Sequence, residues 1–142
     1  MENAITARWV HNWQFVATDS SGHSVVLDSP TMGDNTGMRP AELVLVALAG
    51  CTGMDVISIL RKKKQDVLDF VVNVRGERRP EHPKAWTRMH IEYVVRGHHI
   101  DRAAVERAVE LSQTKYCSVH ATLHGCVEIT HSIKIEEAQE AE

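Results

Sequence analysis

The sequence predicts an α+β fold, and three observations carry that expectation. Segments in which apolar and polar residues alternate lie near both ends of the chain and in its middle, the period of half-buried strands. A continuous apolar run, Leu43–Leu60, separates the first strand group from the second and is long enough for a helix. A helix pair then precedes one last alternating segment. Strands, helix, strands, helices and strand follow one another without the regular strand–helix repeat of an α/β domain.

Residues 4–16 read as a first strand, and Asp19-Ser-Ser-Gly22 supplies turn chemistry before a second strand over 23–28. Residues 29–39 hold Pro30, Gly33, Asp34, Asn35 and Gly37, a loop long enough to be functional. Pro40 suits the first turn of a helix because its missing N–H is needed by no partner there. Glu42 adds negative charge near the positive end of the helix dipole, and Arg61-Lys-Lys-Lys64 complements the other end. This helix is expected to reach about Lys63. Strands are expected around Phe70–Arg75 and Thr87–Arg96, with a loop at Arg78–Pro83 between them. Asp101 can cap a helix whose apolar face is Ala104, Val105, Ala108, Val109 and Ser112. A short helix over Cys117–His124 stops at Gly125, and Val127 to Ile135 alternates as the last strand. The acidic tail, residues 136–142, is expected to fray.

At 142 residues the chain is expected to form a single domain, residues 1–142, with a core of its own. A formal charge of −3 and few aromatic residues argue against a nucleic-acid partner. Glu42, Gly50, Gly53 and Asp55 interrupt the apolar run, so it reads as a core helix and not as a membrane span. Residues 1–8 lack a basic region followed by an apolar one and are not expected to act as a secretory signal. Three well-separated cysteines fit a reducing compartment, and the expected location is cytoplasmic. A helix apolar almost all round needs more cover than a chain of this size offers. A homodimer burying two such helices against each other would supply it.

Cys51 lies inside the apolar run, where burial alone raises a thiol's pKa and leaves it inert. Should a second thiol fold back against it, the pair could cycle between dithiol and disulfide and reduce a peroxide on the way. Cys51 is mid-helix and gains nothing from its own helix dipole, while Asp55, one turn on, opposes a thiolate. An arginine from elsewhere is then required, and Arg8 and Arg39 are the candidates. Cys117, near the start of its own helix, is expected to be a better thiolate and a better resolving partner for that position. Cys126 reads as structural. Glu42 precedes Cys51 by nine residues, about 180° round the helix and roughly 13 Å along it. It could shape a thiol site only in a partner subunit, by orienting an arginine. Cys117, His120 and His124 share one helical face, which makes a transition-metal module a separate reading.

The segments Pro40-Ala-Glu-Leu-Val-Leu-Val-Ala-Leu-Ala-Gly-Cys51 and Tyr116-Cys-Ser-Val-His-Ala-Thr-Leu123 resemble the two cysteine motifs of the OsmC/Ohr family of thiol-dependent hydroperoxide reductases. The wording Ala-Gly-Cys-Thr-Gly-Met-Asp-Val-Ile-Ser-Ile-Leu-Arg-Lys-Lys is closest to that family's YhfA-like branch. The resemblance implies an intertwined homodimer with long buried central helices packed with antiparallel sheets, and no metal, flavin or haem. It implies that Cys51 attacks the peroxide and becomes a sulfenic acid. Cys117 then resolves it as a disulfide, which an external dithiol reduces. Three positions depart from the family pattern. Ala41 stands where the activating glutamate is usual, with Glu42 its nearest substitute; Ser118 replaces a common proline; and the activating arginine has no unambiguous match, Arg8 being the choice here. The function expected is therefore reduction of organic hydroperoxides. The alternative is a non-enzymatic dimer of the same fold that binds a small hydrophobic or thiol-reactive ligand.

Overall fold

The computed structural model describes residues 2–140, which divide into two compact units, one up to Val44 and one from Leu45 on. The architecture is α+β, as the order of patterns predicts.

In the first unit, β1 (Ile5–His11), β2 (Gln14–Asp19) and β3 (Ser24–Leu27) form an antiparallel sheet in that order. The sequence reading fused β1 and β2 into one strand. The chain instead reverses at Asn12, whose φ of 51° is the left-handed conformation that asparagine tolerates better than most residues. The Trp9 indole N–H donates to the Asn12 carbonyl at 2.8 Å and fastens this turn. At the next reversal Gly22 takes φ 89°, and one Asp19 carboxylate oxygen accepts from the backbone N–H groups of Ser21 and His23. The loop after β3 is organised around buried Asp28, which accepts from the Ser29 N–H at 2.7 Å and from both the N–H and the hydroxyl of Thr36. Gly33 passes so close to that carboxylate that a side chain there would collide with it. A bridge between Leu27 and Met38 closes the loop.

The first helix, α1, spans Pro40–Lys62. It is long and apolar enough to cross a membrane by length and composition alone, and 28% of its most apolar stretch is buried within the chain. Its buried residues, Leu48, Thr52, Val56 and Leu60, recur every four positions and so form one row along the helix.

The second unit is built on β4 (Asp66–Arg78), β5 (Trp86–His98) and β6 (Glu128–Glu137). Strand β5 is central, and Met89, Ile91, Tyr93 and Val95 are buried at its every second residue. Helix α2 (Arg102–Leu111) buries Ala104, Val105, Ala108 and Val109, and the Asp101 side chain caps it by accepting from the Ala103 N–H at 3.0 Å. Each of these aliphatic side chains contributes about 1.5–3 kcal/mol when fully buried, except the smaller alanines.

Two expectations need correction here. The sheet is mixed and not antiparallel: β4 pairs antiparallel with β5, but β6 runs parallel to it. The helical segment between β5 and β6 returns the chain to the end where β5 began, and such a crossover makes the next strand parallel. The acidic tail is also ordered further than its composition suggests. Strand β6 includes Glu136 and Glu137, the Ala138 N–H donates to the Gly97 carbonyl at 2.8 Å, and Ala138 is buried. Residues 141–142 lie outside the described part.

Candidate functional site

Helix α2 does not end cleanly. It runs into a π-helical turn, Ser112–Tyr116, before Cys117 opens α3 (Ser118–Leu123). A widened turn of this kind re-aims the residues that follow it. Cys117 adopts extended backbone angles at the N-cap of α3, and its sulfur accepts from the His120 N–H at 3.3 Å. The same segment presents Ser118 to α1, with Ser118 Oγ 3.9 Å from Cys51 Sγ.

Cys51 and Cys117, 66 residues apart, therefore meet. Together with Asp55 they place two Sγ atoms and a carboxylate oxygen within 4.8 Å of one another. Both thiols are free; Cys117 is buried and Cys51 half-buried. Among the described residues this trio is the set of donors close enough to span a metal ion. Cys117, His120 and His124, the trio on which the metal reading was built, do not converge in this way. The rings of His120 and His124 stack instead, with centroids 5.7 Å apart.

The electrostatics of the two thiols reverse the sequence expectation. Burial pushes Cys51 upward, but hydrogen bonds from the Val119 N–H, the Cys117 thiol and the Ser118 hydroxyl outweigh it, and Asp55 opposes them more weakly. The Cys51 pKa falls below its ordinary value. Burial is also the largest influence on Cys117, and there it wins. Its hydrogen bond from His120 helps the thiolate, but donating to Cys51 and facing a charged Cys51 do not, and its pKa is pushed up to about 11. Cys51 is thus the thiol that ionises more readily, and Cys117 the one that holds its proton. The sequence reading asked only what each cysteine's own helix does for it, whereas the donors acting on Cys51 come from the start of α3.

Behind the thiols runs a buried chain of hydroxyls. Gln113 Nε2 donates to the Tyr93 hydroxyl at 3.3 Å, which lies 2.7 Å from Thr52 Oγ1, itself 2.8 Å from Ser112 Oγ. Ser112 donates to Asp55 Oδ2 at 2.9 Å. Thr52, Tyr93 and Ser112 are fully buried. Burial, the largest influence, pushes the Tyr93 phenol above its ordinary pKa, so it holds its proton. The sequence reading missed this chain. Its one signal was a threonine and a serine standing at buried positions of otherwise apolar helix faces.

The other two residues singled out from sequence, Arg8 and Glu42, belong to the first unit. Arg8 is exposed on β1. The partner of Glu42 is Arg39, whose Nε lies 3.2 Å from Glu42 Oε1, and this pair is half-exposed at the start of α1. Arg39, the alternative activating arginine, is held there. Cys126 is exposed.

Comparison with known proteins places these features in context. Residues 33–132 match the family model described as OsmC-like protein. Protein YhfA of Escherichia coli K12 is 42% identical over 128 residues, covering 90% of this chain and 94% of that protein. The crystal structure of a hypothetical protein from Aquifex aeolicus superimposes with a TM-score of 0.80 at 32% identity, over 96% of this chain and 98% of the other. The organic hydroperoxide resistance protein OhrB of Bacillus subtilis shares the fold with a TM-score of 0.64 at 17% identity, over 94% and 98% of the two chains.

Proposed function

Because the chain belongs to the OsmC-like family, we propose that it is a cysteine-based peroxidase that reduces organic hydroperoxides through Cys51. The observation that carries this reading is the opposed state of two neighbouring free thiols, one favouring thiolate and one held protonated. A family that includes organic hydroperoxide resistance proteins gives that pair its chemistry.

In this reading the Cys51 thiolate attacks the outer oxygen of the hydroperoxide, the O–O bond breaks, and the alkoxide leaves as alcohol after taking a proton. Cys51 becomes a sulfenic acid. The Cys117 sulfur then displaces hydroxide from it, forming a Cys51–Cys117 disulfide and water. A disulfide needs about 2.05 Å between sulfurs, so the two must approach by at most about 3 Å from the described arrangement. An external dithiol returns the protein to its reduced state. No cofactor takes part in this sequence of steps.

The working form in this proposal is a homodimer in the cytoplasm. Its support is the apolar surface left uncovered on the single chain, including Val46 and Met54 on α1 and Ile5, Trp9 and Val10 on β1. The dimer is also where Arg8 would act on Cys51, oriented by Glu42 of the other subunit. Three well-separated cysteines, an odd number, suit a reducing compartment.

The test is stoichiometric. Reduced protein mixed with one equivalent of cumene hydroperoxide is expected to consume it and to yield a Cys51–Cys117 disulfide, read by peptide mass spectrometry. Cys51→Ser is expected to abolish consumption, and Cys117→Ser to stop at the sulfenic acid. Absence of consumption by the reduced wild-type protein ends the peroxidase reading.

A further inference from the structure

We propose that Asp55 is the proton acceptor for Cys117, taking the thiol proton as Cys117 closes on oxidised Cys51. This deepens the peroxidase reading and rests on it for the identity of the oxidant, but the geometry that supports it does not depend on any peroxide.

The closing step has a proton problem. Cys117 is the attacking sulfur, yet its surroundings favour the thiol, and a thiol is a poor nucleophile. Something within reach must remove the proton as the S–S bond forms. Asp55 is one helical turn beyond Cys51, and its carboxylate lies within 4.8 Å of both sulfurs, a distance one water molecule can bridge.

The hydrogen-bond chain fixes the direction in which the carboxylate works. At one end the Gln113 amide can only donate to Tyr93, and at the other Ser112 donates to Asp55. Each hydroxyl between them carries a single proton, so Tyr93 donates to Thr52 and Thr52 to Ser112. All donors point toward Asp55 Oδ2. The chain holds the carboxylate in place.

The atoms balance without another reagent. The S–O bond of the Cys51 sulfenic acid breaks as the S–S bond forms. Cys117 sulfur is oxidised, Cys51 sulfur is reduced, and the Cys117 proton passes to Asp55. The leaving hydroxide then takes that proton and departs as water. Asp55 also lines a cavity of about 370 Å³ together with Ile59, Lys62, Lys63 and Tyr116, which gives water and protons a route in. The charged or titratable groups around Asp55 are Cys51 on its own helix, Cys117 ahead of α3, Tyr93 on β5, and Lys62, Lys63 and Tyr116 across the cavity.

The experiment isolates closure from peroxide chemistry. In a Cys126→Ser background, which removes the exposed thiol, one equivalent of the aryl disulfide DTNB converts Cys51 to a mixed disulfide. Attack by Cys117 then releases a coloured thiolate that needs no proton to leave. Asp55→Asn is expected to slow this release by about 100-fold at neutral pH, the size typical of a lost general base. Its rate should rise about tenfold per pH unit for as long as Cys117 remains a thiol, where the wild-type profile is flatter. Asp55→Ala should behave likewise and regain rate with added formate, a signature that a purely structural role does not produce. Release in Asp55→Asn at the wild-type rate and with the wild-type profile overturns the proposal. So does a uniform slowing at every pH without formate rescue in Asp55→Ala. A wild-type protein that closes from the mixed disulfide but ignores cumene hydroperoxide loses the peroxidase reading, while the aryl-thiolate release still decides the role of Asp55.

Discussion

Thr52→Val is the sharpest test of the buried hydroxyl chain, because it changes shape very little and removes the central link. Thr52 Oγ1 bridges the Tyr93 hydroxyl at 2.7 Å and Ser112 Oγ at 2.8 Å. Each such bond contributes about 1 kcal/mol net, and a buried hydroxyl left poorly paired adds its own cost. Ser112 keeps Asp55 as a partner, but Tyr93, fully buried, keeps only the long contact with Gln113. A loss of about 2 kcal/mol follows. For a chain of this length the unfolding entropy is about 0.3 kcal/mol/K, so Tm should fall by about 7 °C. Tyr93→Phe should cost less, about 1 kcal/mol, since Thr52 retains Ser112. In the double variant the orphaned phenol is gone, and the total should be about 2 kcal/mol, not the sum of 3. The assay is thermal and urea unfolding at one fixed chain concentration, so that any association is held constant. If Thr52→Val unfolds at the wild-type temperature, or the two changes are strictly additive, the chain is not the connected network described above.

Three further outcomes are expected. Alkylation of the reduced protein by iodoacetamide, followed by peptide mass against pH, should give Cys51 a midpoint below an ordinary cysteine and Cys117 one near 11; a reversed order would refute the assignment of roles. His120 is held below its ordinary pKa by burial and by the His124 and His131 charges, and His131 by burial and His90. The unfolded chain then takes up protons that the folded one refuses. This stability is present above about pH 6.5 and lost as pH falls through that value toward the depressed ones, so Tm should drop over that interval and drop less in His120→Asn. Ser118→Pro removes the hydroxyl near Cys51 at the first position of α3, where a proline fits. Because the Val119 N–H counts for more than that hydroxyl, Cys51 alkylation should slow by less than tenfold at pH 7, and a larger loss would mean that Ser118 is the principal donor.

The elements that were legible in the sequence are those whose cause is local. Pro40 with Glu42 marks the start of α1, Asp101 caps α2, and the period-two pattern through Met89, Ile91, Tyr93 and Val95 identifies β5 and its buried face. What local pattern could not give was the turn at Asn12, where one left-handed residue interrupts an otherwise strand-like stretch. Nor could it give the parallel pairing of β6, which depends on where the intervening helical segment delivers the chain. The two cysteines were legible as a pair through the motifs around them. The π-helical turn that brings Cys117 to Cys51 was not, since Ser112-Gln-Thr-Lys-Tyr116 has no composition that separates it from an ordinary helix end.

The same limit explains why helix position alone points each thiol's pKa in the wrong direction. A helix position tells a cysteine's pKa only when the helix's own terminus is the nearest source of charge. Here Cys117 occupies the N-cap and accepts one bond from His120, yet its burial and its proximity to Cys51 dominate. Cys51 sits in the middle of α1, yet it receives the Val119 N–H, the Ser118 hydroxyl and the Cys117 thiol from the start of α3. Each thiol is therefore set by the other's element, and the two states are coupled. A proton on Cys117 stabilises the charge on Cys51, and that charge keeps the proton on Cys117. In a pair arranged this way one sulfur ionises more readily and the other holds its proton. The pair needs a separate base to advance once the first sulfur has lost its charge by oxidation. The carboxylate of Asp55, fixed beside both sulfurs by the donors of the buried chain, is the group so placed.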